Sequence, residues 1–270
     1  MRYLAIRRDD RFSPNAVEND TAILKRSCEL ICNKLQLAED ILMVDEQVFA
    51  KNPIEADVYL SMCRLTEVLN ILVEKKDNCR LVLNNPNGVL NCRRSILDSL
   101  MRQHNIAMPP LTGDHGYWLK RGDEAAQSKA DVVYCKDEEA LALAERGFGK
   151  RGIKDLVVSA HMPGDLVKFY GVGERFFKCF YPSDDGISKF GDERRNGVAH
   201  HYVFCQEDLH REVIRVSRLV GVEVFGGDAI IDKNGHFFII DFNDWPSFSR
   251  CRETAAEAIA EYVANNVRTC

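Results

Sequence analysis

The chain has no CxxC pair, no HExxH pattern, and no GxGxxG after its first apolar segment. These absences argue against the common zinc sites and against a dinucleotide fingerprint at that point. No apolar run approaches the ~20 residues needed to span a bilayer. At the N-terminus only Tyr3 to Ile6 is largely apolar before charges begin, too short for a secretory leader. The ten cysteines are scattered, and without a leader they predict reduced thiols and a cytoplasmic protein. Net positive charge is also missing: the balance is −5. Neither a nucleic-acid nor a membrane partner is therefore expected. What is present is an ordinary globular composition, with 270 residues, enough for a large core and two subdomains.

The most informative stretch is Val224 to Phe248, VFGGDAIIDKNGHFFIIDFNDWPSF. Two apolar strands flank Asn234-Gly235, the dipeptide that suits a type I′ hairpin. With those two residues at the turn, Lys233 faces His236, Asp228 faces Asp241, and Gly226 faces Asn243. Residues two apart share a strand face, so Asp228, Asp241 and Asn243 converge on one patch. Like charges directly opposite are destabilising, the more so among Phe237 to Ile240 and Phe242. Two readings stand: a divalent cation held by hard oxygens, Mg²⁺ or Mn²⁺, or acids that reach solvent at a sheet edge.

Elsewhere strands alternate with helices. Segments near Tyr3, Ile41, Val58 and Arg80 read as strands. A helix capped by Asn19 or Asp20 follows the first, and another contains Leu65 to Leu72. This pattern predicts a parallel sheet of Rossmann type. Asn84 to Gly88 reads as a turn, Cys92 to His104 as a helix, and Met108-Pro-Pro as a break. Further strands are expected at Tyr117–Arg121, Val132–Cys135, Leu156–Ala160, Leu166–Tyr170 and Arg175–Tyr181. Helices are expected from Gln206 and from Ser249. Ser183 to Gly197 is a charge-rich loop, either solvated or a lid. Lys120 and Lys168 sit in otherwise apolar strands. Each is either snorkelling from a wet face or, with the acidic patch, part of a polyphosphate site.

At these residues the chain resembles the ATP-grasp superfamily, in the branch shared by RimK/glutathione-synthetase-like ligases and inositol trisphosphate 5/6-kinases. The resemblance runs over VLNNPNGVLNCRRSILDSLMRQHNIAMPPLT, GYWLKRGD, DLVKFYGVGERFFKCFYPS and the hairpin. It implies an α/β protein: a Rossmann-like domain over residues 1–84 and an ATP-grasp domain over 85–270. The second would have a lid lobe near 110–161 and a metal-binding lobe near 162–270. It implies that Asp228, Asp241 and Asn243 hold magnesium and that Lys120, Lys168 and Arg94 contact ATP phosphates, with Lys168 and Arg94 closest to the chemistry. It further implies that Val158, Ser159, Ala160 and His161 form the adenine-reading hinge, and that Asp165 contacts the ribose.

The implied reaction is Mg-ATP-dependent carboxylate–amine ligation through an acylphosphate. The alternative is a small-molecule kinase, which the second lysine strand and Asp241, where ligases typically carry Glu, both favour. The acceptor is expected to be a small molecule, and an anionic one would suit the arginines of its pocket. Its pocket would be walled by the Arg7 to Asn15 loop, Arg64, Asn84 to Asn87 and Arg93; those arginines are equally readable as surface charges. The loop after Lys120 carries one glycine, and it is expected to be mobile until nucleotide binds.

Overall fold

The structure, a computed structural model, describes residues 1–123, 129–185 and 196–268. The loop after Lys120 and the Ser183 to Gly197 segment lie partly outside the described residues.

The first sheet is built from β1 (Tyr3–Arg7), β2 (Leu42–Asp45), β3 (Val58–Ser61) and β4 (Leu81–Leu83). It is wholly parallel in the order β2-β1-β3-β4. The central runs Tyr3–Ile6 and Val58–Ser61 are buried on both faces, as parallel strands covered by helices require. The connecting helices are α1 (Val17–Leu35), α2 (Glu46–Lys51) and α3 (Thr66–Lys76). α1 starts ahead of the expected Asn19 or Asp20 cap. Asp20 is buried within the helix, where its carboxylate meets Arg8 at 3.3 Å. That tertiary ion pair overrides its local capping preference.

The expected turn at Asn84 to Gly88 is instead the start of a short helix, α4 (Pro86–Asn91). Pro86 stands in its first turn, and the Asn85 side chain caps it by accepting the Asn87 N–H. Asn84 is buried and clamps the end of the parallel sheet to a distant strand. Its Nδ2 donates to the Val224 carbonyl at 2.7 Å, and its Oδ1 accepts the Glu223 and Val224 N–H groups. α5 (Arg94–Gln103) follows.

A three-stranded antiparallel sheet comes next, from β5 (Tyr117–Arg121), β6 (Val132–Cys135) and β7 (Leu156–Ala160) in the order β6-β5-β7. The helix α6 (Glu138–Lys150) covers one face of it. Leu119, Val133 and Val158 pack there with Phe148 and Ile153. Strand alternation sends Trp118, Lys120, Tyr134 and Ser159 to the other face.

The last sheet is antiparallel, in the order β11-β10-β8-β9, from β8 (Asp165–Val172), β9 (Phe176–Phe180), β10 (Val224–Ile231) and β11 (Phe237–Asp244). α7 (Gln206–Val220) buries Leu209, Val213 and Val216 against Phe169, Phe225 and Phe242. Each such side chain contributes about 1.5–3 kcal/mol by leaving water. The final helix, α8 (Arg252–Arg268), packs with α1 on the parallel sheet, in one core that also holds Tyr170, Val224 and Trp245. No helix among the described residues is long and apolar enough to cross a membrane.

Candidate active site

The β10–β11 hairpin carries the acidic patch, and its turn differs from the expected one. Gly235 has a left-handed φ of 82°, while Asn234 does not. Asp232 faces His236, rather than Lys233 doing so, and the Gly235 N–H donates to the Asp232 carbonyl at 3.0 Å. The Asp232 carboxylate fixes this longer loop by accepting the N–H groups of Asn234 and His236. The pairing is therefore one residue out of the expected register through Ala229↔Ile239. A bulge at Ile240 then restores it, so that Asp228 faces Asp241 and Gly226 faces Asn243.

On its other side β10 pairs with β8, and Asp228 faces Lys168. Lys168, Asp228 and Asp241 thus form one row across three strands. Lys168 Nζ donates to Asp228 Oδ1 at 2.9 Å, and Asn243 Nδ2 donates to Asp241 Oδ2 at 2.9 Å. The strands approach closely because Gly227 has no side chain; a Cβ there would lie 2.2 Å from the Asp241 carbonyl oxygen.

Lys120 arrives from the facing sheet. Its Nζ donates to the Ile240 carbonyl at 3.0 Å, at the bulge. Burial pushes its pKa down; attraction to Asp241 opposes this, and the nearby Arg94 adds to it. Arg94, at the start of α5, is held by a 2.7 Å bond from Nη1 to the Arg121 carbonyl. Burial alone would raise the Asp241 carboxyl. Arg94, then Lys120, the Asn243 amide and Lys168 outweigh it, and the net shift is downward. The site is thus a pair of facing carboxylates ringed by three cations from three elements.

The residue types fit a hard cation: two carboxylates and an amide oxygen share one face. No cluster of three His, Cys, Asp or Glu side chains with ligand geometry exists among the described residues, so the amide of Asn243 is needed to complete the set.

Val158 to His161, expected to read adenine, lie along β7 and just after it. Ala160 N–H donates to the Pro110 carbonyl and His161 N–H to the Gly116 carbonyl, both at 2.8 Å. Those donors are therefore engaged. Val158 faces α6, away from the cleft. Trp118 and Tyr134, on the face of the three-stranded sheet away from α6, cluster with His161, and Trp118 Nε1 donates to His161 Nδ1 at 3.1 Å. Sequence reasoning passed over both aromatics. Their shared face with Lys120, readable from strand alternation, is the signal that finds them.

Asp165, expected at the ribose, is used elsewhere. It is 1% exposed and accepts the backbone N–H groups of His200 and Tyr202 at 2.7 and 3.0 Å. It anchors the segment leading into α7.

A cavity of about 540 Å³ opens between the parallel sheet and the hairpin, within the size range of small-molecule pockets. Of the expected acceptor walls, Arg11, Arg64 and Arg93 line it. Arg7 is instead tied to Asp45 and Asp10, and Asn84 to Val224. Arg8 is buried, and binds Asp20 and Asp244 and the Trp245 carbonyl. Arg64 meets Asp244 at 2.7 Å. Burial would raise the Asp244 carboxyl, but Arg64 and Arg8 hold it below the usual range.

Comparison with solved structures decides the fold. D-alanine–D-alanine ligase from Bacillus anthracis complexed with ATP matches with a TM-score of 0.65 at 11% identity, covering 99% of this chain and 98% of that one. The fold is that of the ATP-grasp ligases. The ATP-grasp ligase PsnB complexed with a minimal precursor matches with a TM-score of 0.63 at 10% identity, over 98% of both chains. The D-alanine–D-alanine ligase from Coxiella burnetii matches at 0.59 and 12% identity, over 99% and 98%. No protein-family model and no curated protein sequence matches the chain.

Proposed function

We propose that the chain is an ATP-dependent ligase that activates a carboxylate as an acylphosphate and passes it to an amine. The observation that carries this reading is the row Lys168–Asp228–Asp241, met by Lys120 from the opposite sheet on an ATP-grasp scaffold. Lys120 and Lys168 would neutralise phosphate oxygens from the two sides of the cleft. Arg94, between the cleft and the 540 Å³ cavity, would steady the transferring phosphoryl group and the attacking carboxylate. Asp228, Asp241 and Asn243 would hold Mg²⁺ or Mn²⁺, which when bound screens the charge developing on those oxygens. Trp118, Tyr134 and His161 would wall the base, and backbone groups of Val158 to His161 would read its amine. Asp165 is engaged inside the protein, so a ribose contact would fall to another group.

A kinase reading is favoured by the second lysine strand, DLVKFYGV, and by Asp at position 241. There the γ-phosphate would pass directly to a hydroxyl. Hydroxylamine separates the two. With Mg-ATP and carboxylate acceptors, hydroxamate formation coupled to ADP release supports the ligase. ADP release with a phosphorylated alcohol and no hydroxamate refutes it in favour of the kinase.

A further inference from the structure

The 540 Å³ cavity has two ends of different chemistry. Arg94 and Asp241 mark the inner end, beside the acidic row. At the outer end stand Arg11 and Arg93, both exposed. The lining also carries Phe12, Leu65, Leu69, Val89 and Leu90, set among the polar Arg64, Thr66, Asn243 and Asp244.

The cations of this cavity divide by their partners. Arg64 is committed to Asp244, and Arg94 is bonded to the Arg121 carbonyl and faces Asp241. The guanidiniums of Arg11 and Arg93 form no ion pair within 4 Å among the described residues, although the Asp9 carboxylate, which accepts the Arg11 backbone N–H, attracts Arg11 from nearby. Arg93 Nη2 donates only to the Thr66 hydroxyl, at 2.9 Å, and the Arg11 guanidinium lies over the Phe12 ring at 4.8 Å. Of the acids in the lining, Asp244 is taken by Arg8 and Arg64, Asp123 is bonded to Arg121, and Asp241 belongs to the inner row. The mouth therefore presents two guanidiniums, each with unused donors, to a cavity that also offers the apolar side chains of Leu65, Leu69, Val89 and Leu90. A guanidinium fork matches a carboxylate or phosphate.

Resting on the ligase reading above, we propose that the acceptor is a two-headed molecule: a reactive carboxylate at the inner end, an apolar body, and a second anionic group held by Arg11 and Arg93. An apolar tail alone would leave both guanidiniums facing uncharged atoms. An acceptor with a single carboxylate would fill only the inner end. The second head makes use of both ends and the wall between them.

The test is calorimetric binding to the full chain saturated with Mg-AMP-PNP. The probes are straight-chain α,ω-dicarboxylates from glutarate to suberate, ω-phosphonocarboxylates of the same lengths, and monocarboxylates of the same lengths. At least one two-headed probe is expected to bind tenfold or more tightly than its monocarboxylate. Arg93→Met and Arg11→Met should each weaken that probe by about tenfold to a hundredfold, the scale of one charge-assisted contact. Arg211→Met, at an exposed helical site far along the chain, should change nothing. Preference within the two-headed probes tells a carboxylate head from a phosphate-like one. Mg-AMP-PNP binding, measured first, controls folding in every variant. Protein that binds no Mg-AMP-PNP refutes the ATP-grasp reading itself. Protein that binds it, yet binds mono- and dianions alike or neither, or whose arginine variants keep the preference, overturns the two-headed acceptor alone.

Discussion

Replacing Asp241 by Asn tests the acidic row most directly, because it removes one charge while keeping the side chain's size. Suppose Mg-nucleotide is supplied at a hundred times its Kd for the wild type. Linkage then stabilises the folded state by about 2.7 kcal/mol. Unfolding entropy is about 2.1 cal/mol/K per residue near 60 °C. For 270 residues that makes roughly 0.57 kcal/mol/K, so the wild-type Tm should rise by about 5 °C. Losing one of two carboxylate ligands is a loss on the scale of about 2.7 kcal/mol, or a hundredfold in affinity. The same nucleotide concentration would then equal the variant's Kd. It would stabilise by only about 0.4 kcal/mol, a shift under about 1 °C.

The ligand-free comparison is equally informative. Two facing carboxylates suggest that neutralising one would stabilise the protein. Yet Arg94, Lys120, the Asn243 amide and Lys168 hold the Asp241 carboxyl down against the upward push of burial. Their attraction outweighs repulsion from Asp228, so the ligand-free Asp241→Asn protein should melt below the wild type. Thermal scans with and without Mg²⁺ and nucleotide read both effects. A variant that keeps a 5 °C magnesium-dependent shift would remove Asp241 from the metal site. A ligand-free variant that melts higher would show that repulsion dominates the row.

Lys168→Met should fold, since its side chain is partly exposed, but bind Mg-ATP about tenfold or more weakly; unchanged affinity by calorimetry would make Lys168 a partner of Asp228 alone. Asp244→Ala leaves the buried Arg8 and the half-buried Arg64 without their shared carboxylate. Urea denaturation should show a loss of about 3–5 kcal/mol, and a loss under 1 kcal/mol would contradict the network. In Gly88→Ala the new Cβ would lie 2.0 Å from the Gly221 carbonyl oxygen. Backbone on both sides must shift, and a loss of about 3 kcal/mol is expected in the same assay; wild-type stability would refute so close an approach of α4 to the end of α7. Burial pushes the Cys28 and Cys179 thiols up to about 12 and Cys251 to about 11. Unfolded thiols ionise from about 8.5, so above that pH the folded state holds more protons. Stability should therefore be fully present below about pH 8.5 and decline as pH rises toward 11–12. Denaturation midpoints that stay flat from pH 8 to 11 would contradict this, as would rapid alkylation of these three cysteines at pH 8 in folded protein.

The hairpin shows how far the residues alone lead and why they stop. Alternation of apolar and acidic positions places Asp228 opposite Asp241, and the structure pairs them so. The route differs, however: the turn is one residue longer than Asn-Gly suggests, and the bulge at Ile240 compensates. The longer turn has a local cause, the Asp232 carboxylate that gathers the Asn234 and His236 N–H groups, and it was legible in DKNGH. The bulge has none. Ile239 before it and Phe242 beyond Asp241 are ordinary β-formers, and what meets the bulge comes from elsewhere. Lys120 of the opposite sheet takes the Ile240 carbonyl, and the Ala107 carbonyl takes the Ile239 N–H. The same division holds across the chain. β7, whose limits follow from apolar run length, falls at Leu156–Ala160 as expected. Asp20, Asn84 and Asp165 have functions set by partners that lie 12 to 140 positions away. A capping residue, a turn residue and a ligand contact were reasonable local readings of these side chains. Each is instead a buried polar group bonded to a distant one, Asp20 through Oδ2 alone, and burial with no partner at all would have cost more than any local preference supplies. For this scaffold, periodicity yields the strands and the row of chemistry they carry, while the distant partners of the buried polar residues become identifiable only in the folded chain.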